Sequence, residues 1–255
     1  MSPETIWRAS PKELTLLKDE VHIWRVTLPR TATTKKWPLA PLKLRSLRSL
    51  LAPDEVGRAE RFHFEADRAS FIVSRGMLRS ILAAYLKQDP AQLRFASNAY
   101  GKPALAGHEA ASGLRFNLAH SNGLALYAVT RNREVGIDVE EIRADFASDE
   151  IAGHFFSSTE RARLGELPLE QRTEAFFNCW TRKEAYLKAR GDGLSFPLDR
   201  FDVSVLPREQ QVILNVHEDP SESARWSLQS LTPAKGYAAA VAVEGDGWNL
   251  RYWQG

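Results

Sequence analysis

Trp180-Thr181-Arg182-Lys183-Glu184-Ala185-Tyr186-Leu187-Lys188, followed by Gly191-Asp192-Gly193-Leu194, is the stretch on which the reading of this 255-residue chain turns. Phe176, Phe177, Trp180 and Leu187 make the run apolar, and Gly191 supplies a helix stop, so the pattern predicts a helix over about 174–190. On that helix Glu184 and Lys188 stand four apart and share a face. A second run, Gly136-Ile137-Asp138-Val139-Glu140, reads as a strand. Its side chains alternate, so Asp138 and Glu140 leave by one face while Val139 turns into a core. Three carboxylates and a lysine suit a site for Mg2+ and a phosphate ester, because Mg2+ is held by one or two carboxylates plus phosphate oxygens and water. Singly, each pattern is ordinary: Asp-x-Glu recurs by chance, and Glu184 with Lys188 also reads as a surface ion pair.

Working outward, 44% hydrophobic and 26% charged residues describe a globular chain long enough for one large domain or two compact halves. No run approaches the roughly 18 apolar residues of a membrane helix, and Met1-Ser2-Pro3-Glu4-Thr5 lacks signal-peptide character, so a cytoplasmic protein with no membrane partner is expected. The single cysteine, Cys179, has no disulfide or zinc partner and reads as a small buried hydrophobe. Net charge is only +2, yet Val21 to Leu50 holds Arg25, Arg30, Lys35, Lys36, Lys43, Arg45 and Arg48 with no acidic residue. Such a stretch suits an anionic partner or a solvated loop.

Val21 to Leu28 reads as a strand ending at Pro29, and a long helix is expected from near Asp67 to Leu86, before Asp89-Pro90. Arg68, Arg75 and Arg79 share a face of that helix distinct from its apolar stripe of Phe71, Leu78, Ile81, Leu82 and Tyr85, as solvated arginines or as a phosphate-binding row. Tyr100-Gly101-Lys102-Pro103 is a turn. Leu114 to Ser121 and Leu124 to Thr130 are strands, and Asn132-Arg133-Glu134 turns the chain into the strand bearing Asp138. Ser157 and Glu160 form a capping box at a helix start. Strand-like alternation returns at Phe201 to Val205, Gln211 to Val216, Trp226 to Leu231, Tyr237 to Val243 and Trp248 to Trp253.

Together these motifs identify the chain as resembling the 4'-phosphopantetheinyl transferases of the surfactin-synthetase-activating type, the long two-lobed class. The resemblance runs from about Arg61 to Leu194. Gly136 to Glu140 matches the family's Gly-Ile-Asp-x-Glu, and Trp180 to Leu194 its Trp-x-x-Lys-Glu-x-x-x-Lys-x-x-Gly-x-Gly-Leu. Tyr100 to Pro103 matches Tyr-Gly-Lys-Pro. Asn117-Leu118-Ala119-His120-Ser121 departs from Asn-x-Ser-His-Ser, because Ala119 removes one hydroxyl that would contact coenzyme A.

The resemblance implies an α+β fold of two similar lobes, each a long helix on a small antiparallel sheet, with the active site between them. The lobes are expected at 1–130 and 131–255. It implies transfer of the phosphopantetheine arm of coenzyme A to a serine of an acyl or peptidyl carrier protein, with release of 3',5'-ADP. Asp138, Glu140 and Glu184 are then the Mg2+ ligands, and Glu184 and Lys188 the catalytic pair. Arg75, Lys102, His120 and Lys188 contact coenzyme A. Arg79 assists Arg75 or supports the fold, and Trp180 is core that fixes its helix. A monomer would suffice, since one chain supplies both sets of residues. A non-catalytic protein that binds coenzyme A or a carrier is the alternative, and it is disfavoured by the presence of all three acids. Nucleic-acid binding is disfavoured by the near-balanced charge and the lack of a recognised motif.

Overall fold

The computed structural model describes residues 6–11, 13–30, 41–206, 211–212, 214–217 and 219–255. Its framing elements, in chain order, are β1 (Glu20–Thr27), α1 (Glu65–Leu86), β2 (Leu114–Ser121), β3 (Leu124–Arg131), β4 (Val135–Glu141), α2 (Leu169–Arg190), β5 (Trp226–Leu231), β6 (Tyr237–Glu244) and β7 (Asn249–Gln254). One sheet runs Arg8–Ala9, β7, β1, β3, β2, and a second runs β4, β6, β5, Gln211–Val212. The fold is mixed α and β, as the sequence predicts.

Side-chain alternation stacks these parts in four layers. On β3, Ala125, Tyr127 and Val129 pack with Ile72, Leu78 and Leu82 of α1. Leu124, Leu126 and Ala128 face the other way, onto Val135, Ile137 and Val139 of β4 and Val241 of β6. On β6, Ala238, Ala240 and Ala242 pack under α2. The order is therefore helix, sheet, sheet, helix, which explains why β3 and β6 are apolar on both faces. By hydropathy alone the best window of α1 would pass for a membrane span, but 61% of it is buried within the protein. It is a core helix.

Two expectations need correction. The first sheet is not purely antiparallel: β7 lies parallel to β1, with Trp253 opposite Trp24, and Arg8–Ala9 lies parallel to β7. The last strand, placed by sequence in the second half, thus returns to the first sheet. Gly245 and Gly247, at φ 76° and 67°, turn the chain from β6 in one sheet to β7 in the other. Alternation reveals a strand but not its neighbour. The second correction is the start of α2 at Leu169, ahead of the expected 174. Its first turns are polar and mostly exposed, so no apolar period marks them. The Ser157–Glu160 capping box is present as predicted. Lys35 and Lys36 of the basic stretch lie outside the described residues.

A buried polar group pins α1 to the first sheet. His22 Nδ1 lies 2.7 Å from Tyr85 Oη and its Nε2 3.3 Å from Glu20 Oε2. Burial holds the His22 pKa below its ordinary value, against the pull of Glu20. The unfolded chain therefore binds a proton more readily than the folded one, and stability falls as pH drops below the ordinary histidine value of about 6.5. Urea unfolding at a series of pH values is expected to show this slope, and His22→Gln to flatten it.

Candidate active site

Gly136, Asp138 and Glu140 leave β4 on the face turned to α2, while Val135, Ile137 and Val139 fill the space between the sheets. A Cβ built on Gly136 would stand 2.1 Å from the Ala185 carbonyl oxygen and 2.2 Å from the Ala189 nitrogen. Only glycine permits this approach. Small residues continue the seam: Ala185 and Ala189 on α2, and Ala238, Ala240 and Ala242 on β6, are all within the same core. This close seating delivers Glu184 and Lys188 to the acids of β4.

Lys188 Nζ donates to Asp138 Oδ1 at 2.5 Å, and Asp138 is only 3% exposed. The second oxygen, Asp138 Oδ2, is buried and has no hydrogen-bond partner. Burial pushes the Glu184 pKa up, and the negative charges of Asp138 and Glu140 push it further. Burial likewise raises Glu140, against a hydrogen bond from Ser121. Desolvation works against the Lys188 ammonium, but Asp138, Glu184 and Glu140 together outweigh it and raise its pKa. The three carboxylates are thus close enough to repel one another and are short of positive charge. These hard oxygens, with one orphaned atom among them, fit a divalent cation. Among the described residues no three His, Cys, Asp or Glu side chains form a ready metal cage. Substrate oxygens and water would have to complete the shell, which is the habit of Mg2+.

The first sheet supplies the opposite wall. Asn117 Oδ1 accepts from the Ile137 nitrogen at 2.9 Å, and Ser121 Oγ accepts from the Glu141 nitrogen at 3.1 Å while donating to Glu140 Oε2 at 2.7 Å. These bonds lock β2 beside β4. Next to them opens a cleft of ≈ 770 Å³ whose lining includes Arg58, Phe62, Arg75, His120, Ser121 and Arg143. Desolvation, and then the Lys188 charge, hold the His120 pKa below its ordinary value. An incoming phosphate would oppose both effects and favour the imidazolium.

The arginine row of α1 divides. Arg75 Nε donates to Glu55 Oε1 at 3.0 Å and remains on the cleft wall. Arg79 is 1% exposed and donates to Glu55 Oε2 and to the carbonyls of Pro90 and Leu93, so it supports the fold. Arg68 donates to the Phe62 carbonyl. Arg25 is also structural, bound to Gln254 and the Pro233 carbonyl, and Arg30 pairs with Glu141. Lys102 lies in a neighbouring hollow, which shares Leu118 with the cleft that Arg75 and His120 line. It lines this smaller hollow, of ≈ 270 Å³, with Glu184 and Lys188, and its amine donates to Glu134 and to the Ala189 carbonyl.

Two family models match the chain: one described as the 4'-phosphopantetheinyl transferase superfamily, over residues 134–242, and one as the 4'-phosphopantetheinyl transferase N-terminal region, over residues 35–132. The 4'-phosphopantetheinyl transferase HetI of Nostoc sp. (strain PCC 7120 / SAG 25.82 / UTEX 2576) is 41% identical over 247 residues, covering 97% of this chain and 97% of that protein. The chain belongs to the 4'-phosphopantetheinyl transferase superfamily. The 4'-phosphopantetheinyl transferase Sfp of Bacillus subtilis (strain 168) is 29% identical over 206 residues, 81% of this chain and 88% of that protein.

In this transferase the motif residues beside the acids have separate tasks. Trp180 stacks on Phe176 with ring centroids 6.2 Å apart and meets Phe146 and Phe155 edge-on, so it fixes α2 as core. Cys179 is fully buried, and burial pushes its thiol pKa up, away from nucleophile chemistry. Lys183 is fully buried and donates to the Leu198 and Phe201 carbonyls, with Glu160 at 2.8 Å. Ala119 is 6% exposed and packs between the sheets. Sequence reading missed Arg58 and Arg143 on the cleft wall and Glu55 beneath Arg75, since lone charged residues carry no period.

Proposed function

We propose that this transferase moves the 4'-phosphopantetheine group of coenzyme A to a serine hydroxyl of an acyl or peptidyl carrier protein, with Mg2+, releasing 3',5'-ADP. The observation that carries the reading is the meeting of Asp138, Glu140, Glu184 and Lys188 beside a cleft bearing Arg75 and His120. We take the two helix-on-sheet units as similar lobes with the active site between them. The first, 1–130 joined by the returning strand β7, supplies most nucleotide contacts, and the second, the rest of 131–255, the acids. One chain supplies both sets, which supports a monomer, and we place its action in the cytoplasm.

In this scheme Arg75 grips the 3'-phosphate of coenzyme A through its planar fork, and His120 donates to a phosphate oxygen. Asp138, Glu140 and Glu184 would hold Mg2+, which would supply charge neutralisation at the diphosphate. Glu184 accepts the proton of the carrier serine, directly or through water, as the serine oxygen bonds to phosphorus and the bond to the departing 3',5'-ADP breaks. Glu184 stands on a long helix one turn before Lys188, which holds a general base in one geometry. Lys188 offsets the charge that builds on the phosphate oxygens.

Arg75→Ala and His120→Ala are each expected to raise the KM for coenzyme A about tenfold, the loss of one charge-assisted hydrogen bond, with little change in carrier KM. Steady-state kinetics with each substrate varied in turn checks this. A rise in carrier KM alone would contradict the assignment.

A further inference from the structure

We propose that Ser121 is a positioning residue for the divalent cation: its hydroxyl holds one oxygen of the Glu140 carboxylate and leaves the other to the metal. This rests on the reading of Asp138, Glu140 and Glu184 as the metal's ligands. A serine hydroxyl has one proton and two lone pairs. Ser121 Oγ accepts from the Glu141 nitrogen at 3.1 Å, so its proton goes to Glu140 Oε2 at 2.7 Å. Among the described residues it is the one donor hydrogen-bonded to the Glu140 carboxylate.

The hydroxyl is itself held in place. On β2, Asn117 and Ser121 stand four apart and share a face, and the nitrogens they meet on β4, those of Ile137 and Glu141, are also four apart. Side-chain oxygens thus take the part of strand carbonyls where β2 and β4 belong to different sheets. Beyond Ser121 the chain reverses through Asn122 and Gly123, at φ 27° and 95°, into β3. That turn is tied down as well. Asn122 Nδ2 donates to Glu141 Oε2, and Tyr237 Oη, at the start of β6, donates to the Asn122 carbonyl at 2.7 Å. The end of β2 cannot drift from Glu140 without breaking these bonds.

The two acids of β4 are built alike. Lys188 Nζ claims Asp138 Oδ1 and leaves Oδ2 without a partner, while the Ser121 hydroxyl claims Glu140 Oε2 and leaves Oε1. Each carboxylate has one oxygen fixed by a neighbouring element and one available. A side chain fixed beforehand loses little freedom when it takes a cation, and the partners of a ligand set its metal affinity. A neutral hydroxyl also suits this task better than a second cation would. It orients Glu140 and leaves its negative charge to the metal.

The test titrates Mg2+ calorimetrically into the chain saturated with coenzyme A, with no carrier present and so no turnover. Ser121→Ala is expected to weaken the Kd for Mg2+ by about 10- to 100-fold, the cost of losing a ligand's partner. Ser121→Thr keeps the hydroxyl and suits a strand, so its Mg2+ affinity is expected to match the parent's. The Kd for coenzyme A, measured with Mg2+ chelated, is expected to be unchanged in both. Asn117→Ala cuts the other bond between β2 and β4 and spares Glu140, so its Mg2+ affinity should hold even where its urea midpoint falls. Equal Mg2+ binding by Ser121→Ala and the parent would overturn the proposal. So would an equal loss in Asn117→Ala, which would make the joining of the strands the cause. Weaker coenzyme A binding without metal, with Mg2+ binding intact, would make Ser121 a contact of coenzyme A instead. A parent that takes up no Mg2+ would contradict the metal site itself, and the proposal with it.

Discussion

Glu184→Gln is expected to lower kcat for carrier loading by about 10²- to 10⁴-fold, the range lost with a general base, while calorimetric binding of coenzyme A persists. The amide keeps the shape of the side chain but cannot accept the serine proton, and it removes one of three mutually repelling carboxylates. Activity retained at the parent level would remove Glu184 from the chemistry.

Gly136→Ala is the second large effect. The new Cβ would meet the Ala185 carbonyl oxygen, the Ala189 nitrogen and the Lys188 carbonyl carbon, at 2.1, 2.2 and 2.8 Å. All three are backbone atoms, so no side-chain rotation makes room. Strand and helix must separate, at a cost of about 3 kcal/mol in unfolding free energy, the upper end of ordinary overpacking. Separation also draws Asp138 from Lys188, so activity should fall further than the loss of folded protein explains. Gly153 and Gly57 meet nothing within 4 Å and have no left-handed backbone requirement. Alanine at either should be neutral or mildly stabilising, since both lie within helices. Urea unfolding of the three variants checks the contrast, and a Gly136→Ala that behaves like Gly153→Ala would overturn the account of the seam.

What the sequence made legible follows from period. Alternation put Asp138 and Glu140 on one face, the four-residue spacing put Glu184 beside Lys188, and the capping box marked Ser157. The glycine and alanine seam that joins those two elements is equally periodic. What stayed hidden depends on long-range partners. Strand β7 looks the same whether it closes the second sheet or returns to the first, and its parallel pairing with β1 and the packing of Trp253 against Trp24 and His22 distinguish them. Arg75 and Arg79 occupy one helix face in sequence, yet Glu55 and two carbonyls draw Arg79 inward. Lys102 sits in a recognisable motif, but its partners at Glu134 and Ala189 lie 32 and 87 residues away.

The central claim is that acids from β4 and α2, beside a coenzyme A cleft, transfer phosphopantetheine to a carrier. Its most direct test is the intact mass of purified apo acyl or peptidyl carrier proteins after incubation with this chain, coenzyme A and Mg2+. The account predicts a gain equal to one phosphopantetheine group on the carrier, absent when Mg2+ is chelated or when Asp138→Ala replaces the parent. A carrier mass that never changes across a panel of such carriers, or a gain that survives Asp138→Ala and chelation alike, would contradict it.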